Sequence, residues 1–331
     1  MKISKLKKEL YNFKLTFVYL THFGVRIWFW SLVDGIIRRL GFDNFYTYTH
    51  KKRYDSCKRY LERNYSFIID KYKKQHPLPR KVSENSPVWQ YWHQGAGKCP
   101  EQVKMDLNSL KGKTRRHERI VLDKNSYKEY VSLPPYIEEK MAQGKMDIAV
   151  FSDFLRMALL KECGGIWVDS TFFFTNELPQ EVDNYAFYSI KQYGKRKWVV
   201  TKDLWSVGML SSAQGGNALV NFCYDFLCEY WKKENAPIGY LMTDCIIAIG
   251  YEKIDSIKKL IDDVPNNNGH AFDFVTSFAD EPYNKNTLSE MNNDTYLYQL
   301  TYKKEYHTSI NGVTTNYGGL TNEILANNRN S

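Results

Sequence analysis

An aspartate and an arginine three residues apart, Asp153 and Arg156, are followed by a further acid, Asp169, beside the hydroxyls of Ser170 and Thr171. Residues at that spacing on a helix are neighbours on one face. On a solvated surface such a pair contributes only about 0–1 kcal/mol. Here Phe154, Met157 and Leu160 hem it in. A charged pair beside a core has to be satisfied by its own members or by a polar ligand. A carboxylate next to two hydroxyls suits a phosphorylated ligand, or the hard cation that travels with one.

The elements that must position these groups can be read around them. Phe151, Leu155, Ala158, Leu159 and Glu162 recur at helical spacing, which predicts an amphipathic helix with a mostly apolar stripe. Gly164-Gly165 ends it, since glycine takes the left-handed cap cheaply. Ile166-Trp167-Val168 then reads as a short buried strand with Asp169 at its carboxyl end, where ligands collect in open α/β sheets. Upstream, Val88 to Trp92 predicts a first strand followed by the loop His93-Gln94-Gly95-Ala96-Gly97. A lone G-x-G is a weak phosphate signal, and its place after a first strand strengthens it. A helix from Glu101 to Leu110, a strand from Arg119 to Leu122 and a helix from Asn217 to Trp231 complete the pattern. Asn184 to Ile190 and Trp198 to Val200 read as further strands, and Tyr240 to Ile249 as a helix. The expectation is an α/β domain with a mixed sheet flanked by helices.

The run S-D-F-L-R-x-x-L-L-x-x-x-G-G-x-W-x-D-S-T, from Ser152 to Thr171, resembles the capsular polysaccharide synthesis glycosyltransferases, whose fingerprint is S-D-x-x-R followed by G-G-x-Y/W-x-D-x-D. Val88 to Gly95 with Pro100 is similar to that family's opening strand and nucleotide loop, and Asn125 to Pro134 to its N-x-x-E-Y-V-x-L-P segment. The resemblance spans roughly residues 85 to 325 and implies a GT-A-like, Rossmann-type fold. It implies an enzyme that moves a sugar from a nucleotide-diphosphate donor, a UDP-sugar, to a lipid-linked or oligosaccharide acceptor with retention. Donor contacts would come from Trp92 (stacked on uracil), Gln94, Gly95, Asp153, Arg156, Gly164, Gly165, Asp169, Ser170 and Thr171. Asp153, Arg156 and Asp169 would be catalytic. Trp205, Ser206 and Asp244 would border the acceptor, and Lys303 and His307 would sit on a tail loop over the diphosphate. Thr171 replaces the second aspartate of the pattern, and a neutral hydroxyl is a poorer ligand for a hard cation. Asp169 would therefore hold Mn2+ or Mg2+ alone or through water, or the ion would be weak or dispensable.

Composition bounds the rest. The 331 residues are 43% hydrophobic and 25% charged, ordinary for a globular chain with an ample core. The six cysteines form no C-x-x-C pair and read as reduced thiols of a cytosolic protein. The net charge of +9 is uneven: through Glu84 there are 19 Lys/Arg against seven Asp/Glu, so this part carries +12 and the rest −3. Tyr11 to Leu40 is strongly apolar, preceded by Lys2, Lys5, Lys7 and Lys8 and followed by Arg38 and Arg39. His22, Arg26 and Asp34 interrupt it, each costly at mid-bilayer. No small-residue cleavage site follows, which argues against a signal peptide. The pattern fits helices lying in the surface of an anionic membrane, at the inner face of the cell membrane, or a helical hairpin packed on protein. Pro77-Leu78-Pro79 and Ser83 to Pro87 then break the chain, dividing a helical module, 1–82, from a transferase domain, 83–331. No acidic metal cluster or nucleic-acid reading motif is present, so nucleic acid is not an expected partner. A non-catalytic membrane adaptor would explain the first module and leave the Asp153 to Asp169 pattern without a purpose. A protein acceptor is a further alternative.

Overall fold

The computed structural model describes residues 17–327 except His76, Tyr193 and Lys195; Lys2, Lys5, Lys7, Lys8, Tyr11, Phe13 and Leu15 lie outside the described residues. A π-helical turn, Tyr19–Phe23, leads into α1 (Val25–Leu40), α2 (Asp43–Asn64) and α3 (Ser66–Lys73). The α/β part then runs β1 (Val88–Tyr91), α4 (Glu101–Ser109), β2 (Arg119–Leu122), α5 (Pro135–Ala142), α6 (Ile148–Glu162), β3 (Gly165–Val168), β4 (Phe172–Phe174) and β5 (Met209–Ser212). It closes with α7 (Ala218–Lys233), α8 (Met242–Lys253), α9 (Asp255–Asp262), α10 (Lys285–Met291), β6 (Leu297–Gln299) and α11 (Asn316–Asn327).

The sheet has the order β2-β1-β3-β5. β1 pairs parallel with β2 and β3, with Val88 opposite Arg119 and Ile166, and β5 runs antiparallel to β3, Val168 facing Met209. The architecture is thus mixed α/β, with β1 and β3 both ending at one edge. Ser170 Oγ donates to the Tyr91 carbonyl at 2.7 Å and ties those two ends together.

Helix α6 starts at Ile148 because Asp147 caps it, its carboxylate accepting from Val150 N at 2.9 Å. Val150, Phe151 and every residue from Phe154 to Leu160 are buried, so burial reaches nearly all round the helix and not only one stripe. Its exit needs two glycines. Gly165 has φ of 101°, and a Cβ there would lie 2.3 Å from the Pro87 carbonyl; at Gly164 one would lie 2.4 Å from Gln214 N. Both conditions exclude a side chain.

Two expected strands are absent. The segment Asn184 to Ile190 makes a single bridge, Ser189 to Leu210. Beyond that bridge and a bond from Ser211 N to the Tyr188 carbonyl at 3.0 Å, side chains serve its backbone: Tyr188 N donates to Ser211 Oγ at 2.8 Å. Trp198 to Val200 is a turn, where Trp198 packs against His50 and Tyr46 with ring centroids 5.3 and 5.8 Å away. Aromatic packing on the N-terminal helices decides that segment.

The N-terminal helices pack against α7 and α8 and the segment between them. Cys57 Sγ approaches the Ile238 carbonyl, Tyr60 and Tyr65 donate to Glu234, and Lys71 and Tyr72 donate to Asp225. One continuous set of buried side chains includes Tyr54 and Leu61 of α2, Trp89 of β1 and Phe226 of α7. All six cysteines are free.

Candidate active site

The carboxyl edge of β1 and β3 opens into a cleft of about 580 Å³, walled by the β1 loop, the first turns of α6, the segment after β3 and the start of α8. Asp153 and Arg156 reach it from α6, Asp169, Ser170 and Thr171 from the end of β3, and Trp92 and Gln94 from the loop after β1. Asp244 joins them from α8, 91 residues beyond Asp153.

Arg156 is the hub. Only 4% of its side chain is exposed, and its Nη2 lies 3.1 Å from both Asp153 Oδ1 and Asp169 Oδ1. Nη1 donates to the Val207 carbonyl, and the guanidinium lies 5.1 Å from the Trp167 ring centroid. A guanidinium fork suits two carboxylates at once. Trp167 Nε1 also donates to Asp169 Oδ1 at 2.7 Å, which fixes that oxygen and leaves Oδ2 as the other. Gly208 clears the space beside Oδ2, since a Cβ there would lie 3.1 Å from it and 2.7 Å from the Phe172 ring. The side chains of Asp153 and Asp169 stay 18% and 29% exposed, so a ligand reaches the acids while the arginine stays behind them.

Asp153 Oδ2 accepts from Thr243 Oγ1 at 2.9 Å. Burial raises the Asp153 carboxyl above its ordinary pKa, opposed by Arg156 and Thr243. Asp244 accepts from Trp205 Nε1 at 3.0 Å. Burial, then the charge of Asp153, raises its pKa to about 7. Trp92 meets Tyr302 edge-on at 5.4 Å, and its buried Nε1 has no hydrogen-bond partner among the described residues.

Other expected residues lie elsewhere. Gly164 and Gly165 sit at the entrance of β3, the opposite end from the cleft, where the backbone geometry above requires them. Gly95, with φ of 85°, turns the β1 loop beside Asp123 but does not line the cleft. Trp205 and Ser206 line a neighbouring cavity of about 190 Å³, which shares Val207, Leu241 and Asp244 with the cleft. Lys303 and His307 are outside the lining, whereas their neighbour Tyr302 is in it. The structure adds Tyr91, His93, Lys98, Ser152 and Tyr240 to the lining. Sequence reasoning missed Lys98, whose signal is its place directly after Gly95-Ala96-Gly97; no local pattern marks Thr243 or Tyr302.

No group of three or more His, Cys, Asp or Glu that could hold a metal occurs among the described residues. Asp169 Oδ2, with the Thr171 hydroxyl nearby in sequence, is a partial donor set. It fits a divalent ion only together with phosphate oxygens and water, the way Mg2+ is commonly held.

A family model described as capsular polysaccharide synthesis protein matches residues 39–318. The chain belongs to this family. Of the S-D-x-x-R and G-G-x-W-x-D runs, Ser152, Asp153, Arg156 and Asp169 line the cleft, while the two glycines lie at the other end of β3. Among solved structures the chain is similar to one described as PaToxG glycosyltransferase, at 15% identity and a TM-score of 0.39, over 66% of this chain and 83% of that one. It is also similar to the apo structure of the bifunctional glycosyltransferase WbbM, at 9% identity and a TM-score of 0.34, over 76% of this chain and 50% of that one. No curated protein is similar enough in sequence to count as a match.

Proposed function

We propose that the cleft takes a nucleotide-diphosphate sugar, a UDP-sugar, and transfers its sugar with retention to a lipid-linked or oligosaccharide acceptor in capsule synthesis. The observation that carries this is the convergence of Asp153, Arg156 and Asp169 at the carboxyl edge of the sheet, beside an unpartnered Trp92 Nε1 and the exposed Lys98. Trp92 offers a ring for the base, and Lys98 a cation for the diphosphate. Asp153 accepts sugar hydroxyls and orients the donor, while Arg156 holds both acids in place. A divalent cation on Asp169 Oδ2, when present, would neutralise charge on the leaving diphosphate.

Each acid in the cleft is tied at one oxygen or both: Asp153 by Arg156 and Thr243, Asp169 at Oδ1 by Arg156 and Trp167, Asp244 at Oδ1 by Trp205. That disfavours a free carboxylate nucleophile and favours front-face transfer, in which the acceptor hydroxyl attacks from the side the diphosphate leaves. In this reading the acceptor enters through the neighbouring cavity, which shares Asp244 with the cleft. We place this chemistry at an anionic membrane surface, where a lipid-linked acceptor is presented.

The test is hydrolysis and transfer with a panel of nucleotide sugars, comparing wild type with Asp153→Ala and Asp169→Ala and reading the product anomer by NMR. The proposal expects one donor to be turned over and both variants to lose activity. Unchanged turnover in both variants would overturn it.

A further inference from the structure

Three observations on the N-terminal helices point the same way. First, α1 carries Val25, Phe29, Leu32, Ile36 and Leu40 on one helical stripe, and all five are between 39% and 65% exposed. Phe17, Leu20, Phe42, Phe45 and Tyr48 on adjoining turns are exposed as well. A lone exposed leucine needs no explanation; a continuous apolar stripe does.

Second, the acid that breaks the apolar run in sequence is turned away from that stripe. Asp34 is buried against α2, its Oδ2 3.1 Å from Arg53 Nη1 and its Oδ1 3.2 Å from Thr49 Oγ1. Ile27, also buried, marks the same inner face. The outer face is therefore uninterrupted by acid, although no helix among the described residues is long and apolar enough to cross a membrane.

Third, a pocket of about 500 Å³ opens at the Val25 end of the stripe, between α1 and α2, lined by Arg26, Arg59 and Arg63 together with Ser56 and Tyr60. All three arginines are exposed, and none has a carboxylate partner among the described residues. Arg59 reaches only Ser56 Oγ, at 3.4 Å. Glu234, the acid bonded to Tyr60, is buried, also accepts from Tyr65 and does not line the pocket. Three unpaired guanidinium groups around one opening suit a phosphate.

We propose that this face seats on a bilayer containing anionic phospholipid, with the α1 stripe in the headgroup–acyl boundary and a headgroup phosphate in the Arg26/Arg59/Arg63 pocket. The excess of +12 in residues 1–84 supplies the charge complementarity. An interfacial helix of this kind combines an apolar face with flanking cations. The inference deepens the membrane reading above and is independent of which sugar is moved.

The test uses the full chain in flotation with vesicles of phosphatidylcholine alone and of phosphatidylcholine mixed with phosphatidylglycerol, at low and high salt. Wild type is expected to float with the anionic vesicles, and less at high salt. Replacing Arg26, Arg59 and Arg63 together by alanine should weaken that partition on the order of 100-fold, at roughly fivefold for each cation near the surface. Phe29→Glu with Ile36→Glu should abolish it. Nucleotide-sugar hydrolysis without vesicles, run on the same variants, should stay at the wild-type level, so a failure of the catalytic reading is seen separately. Equal flotation of wild type and variants would overturn the proposal. So would light scattering that shows a dimer of wild type broken by Phe29→Glu, which would make the stripe a contact between copies. Inorganic phosphate that protects Arg59 from phenylglyoxal as well as anionic vesicles do would reassign the pocket to a soluble ligand.

Discussion

Asp244→Asn is a perturbation whose sign and size follow from the geometry. The carboxyl is buried in the first turn of α8, with Trp205 Nε1 donating to Oδ1 at 3.0 Å. Burial and the charge of Asp153 raise its pKa to about 7, against about 3.9 for an unfolded aspartate. The native state therefore binds this proton more tightly than the unfolded chain. Its stability contribution is complete below about pH 4 and is lost as pH rises towards the native value. A gap of about 3 units corresponds to about 4 kcal/mol lost above pH 8, and only about 1–2 kcal/mol lost by pH 5. Asparagine keeps an acceptor for Trp205 and does not titrate. The variant should therefore gain roughly 2–3 kcal/mol on wild type between pH 5 and pH 8, a Tm shift of several degrees. Calorimetry at the two pH values reads this directly. If the acceptor side needs the carboxyl, transfer falls while Tm at pH 8 rises. A Tm difference that is the same at both pH values would refute the reasoning.

Two further outcomes follow from the same site. Arg156→Ala leaves Asp153 and Asp169 facing each other without their shared cation, and denaturant unfolding should show a loss of about 3–5 kcal/mol; a loss under about 1 kcal/mol would mean that the pair is solvated. With only Oδ2 of Asp169 open at the end of β3, Mn2+ should show no calorimetric binding to the protein alone and measurable binding once UDP is added. Micromolar Mn2+ binding without nucleotide would point to ligands outside this cleft.

The helix, glycine pair, strand and acid from Phe151 to Asp169 were legible because each depends on neighbours in sequence: periodicity, a left-handed turn and a short buried run. The residues that complete the cleft were not. Thr243 meets Asp153 and Tyr302 meets Trp92 across long stretches of chain, and no local pattern encodes such meetings. The segments at 184–190 and 198–200 have strand-like composition, yet side-chain acceptors and aromatic packing satisfy them outside a sheet. On α1 the apolar run was visible, but which side carried Asp34 depended on Arg53, 19 residues later.

If the cleft at the ends of β1 and β3 is a nucleotide-sugar site, it binds UDP through the ring of Trp92. Calorimetric titration of UDP into wild type and Trp92→Ala, with Mn2+ present, tests it most directly. Wild type should bind, and the variant should bind about 5- to 100-fold more weakly, the loss of one stacked base. No binding by wild type, or equal binding by both, would contradict it.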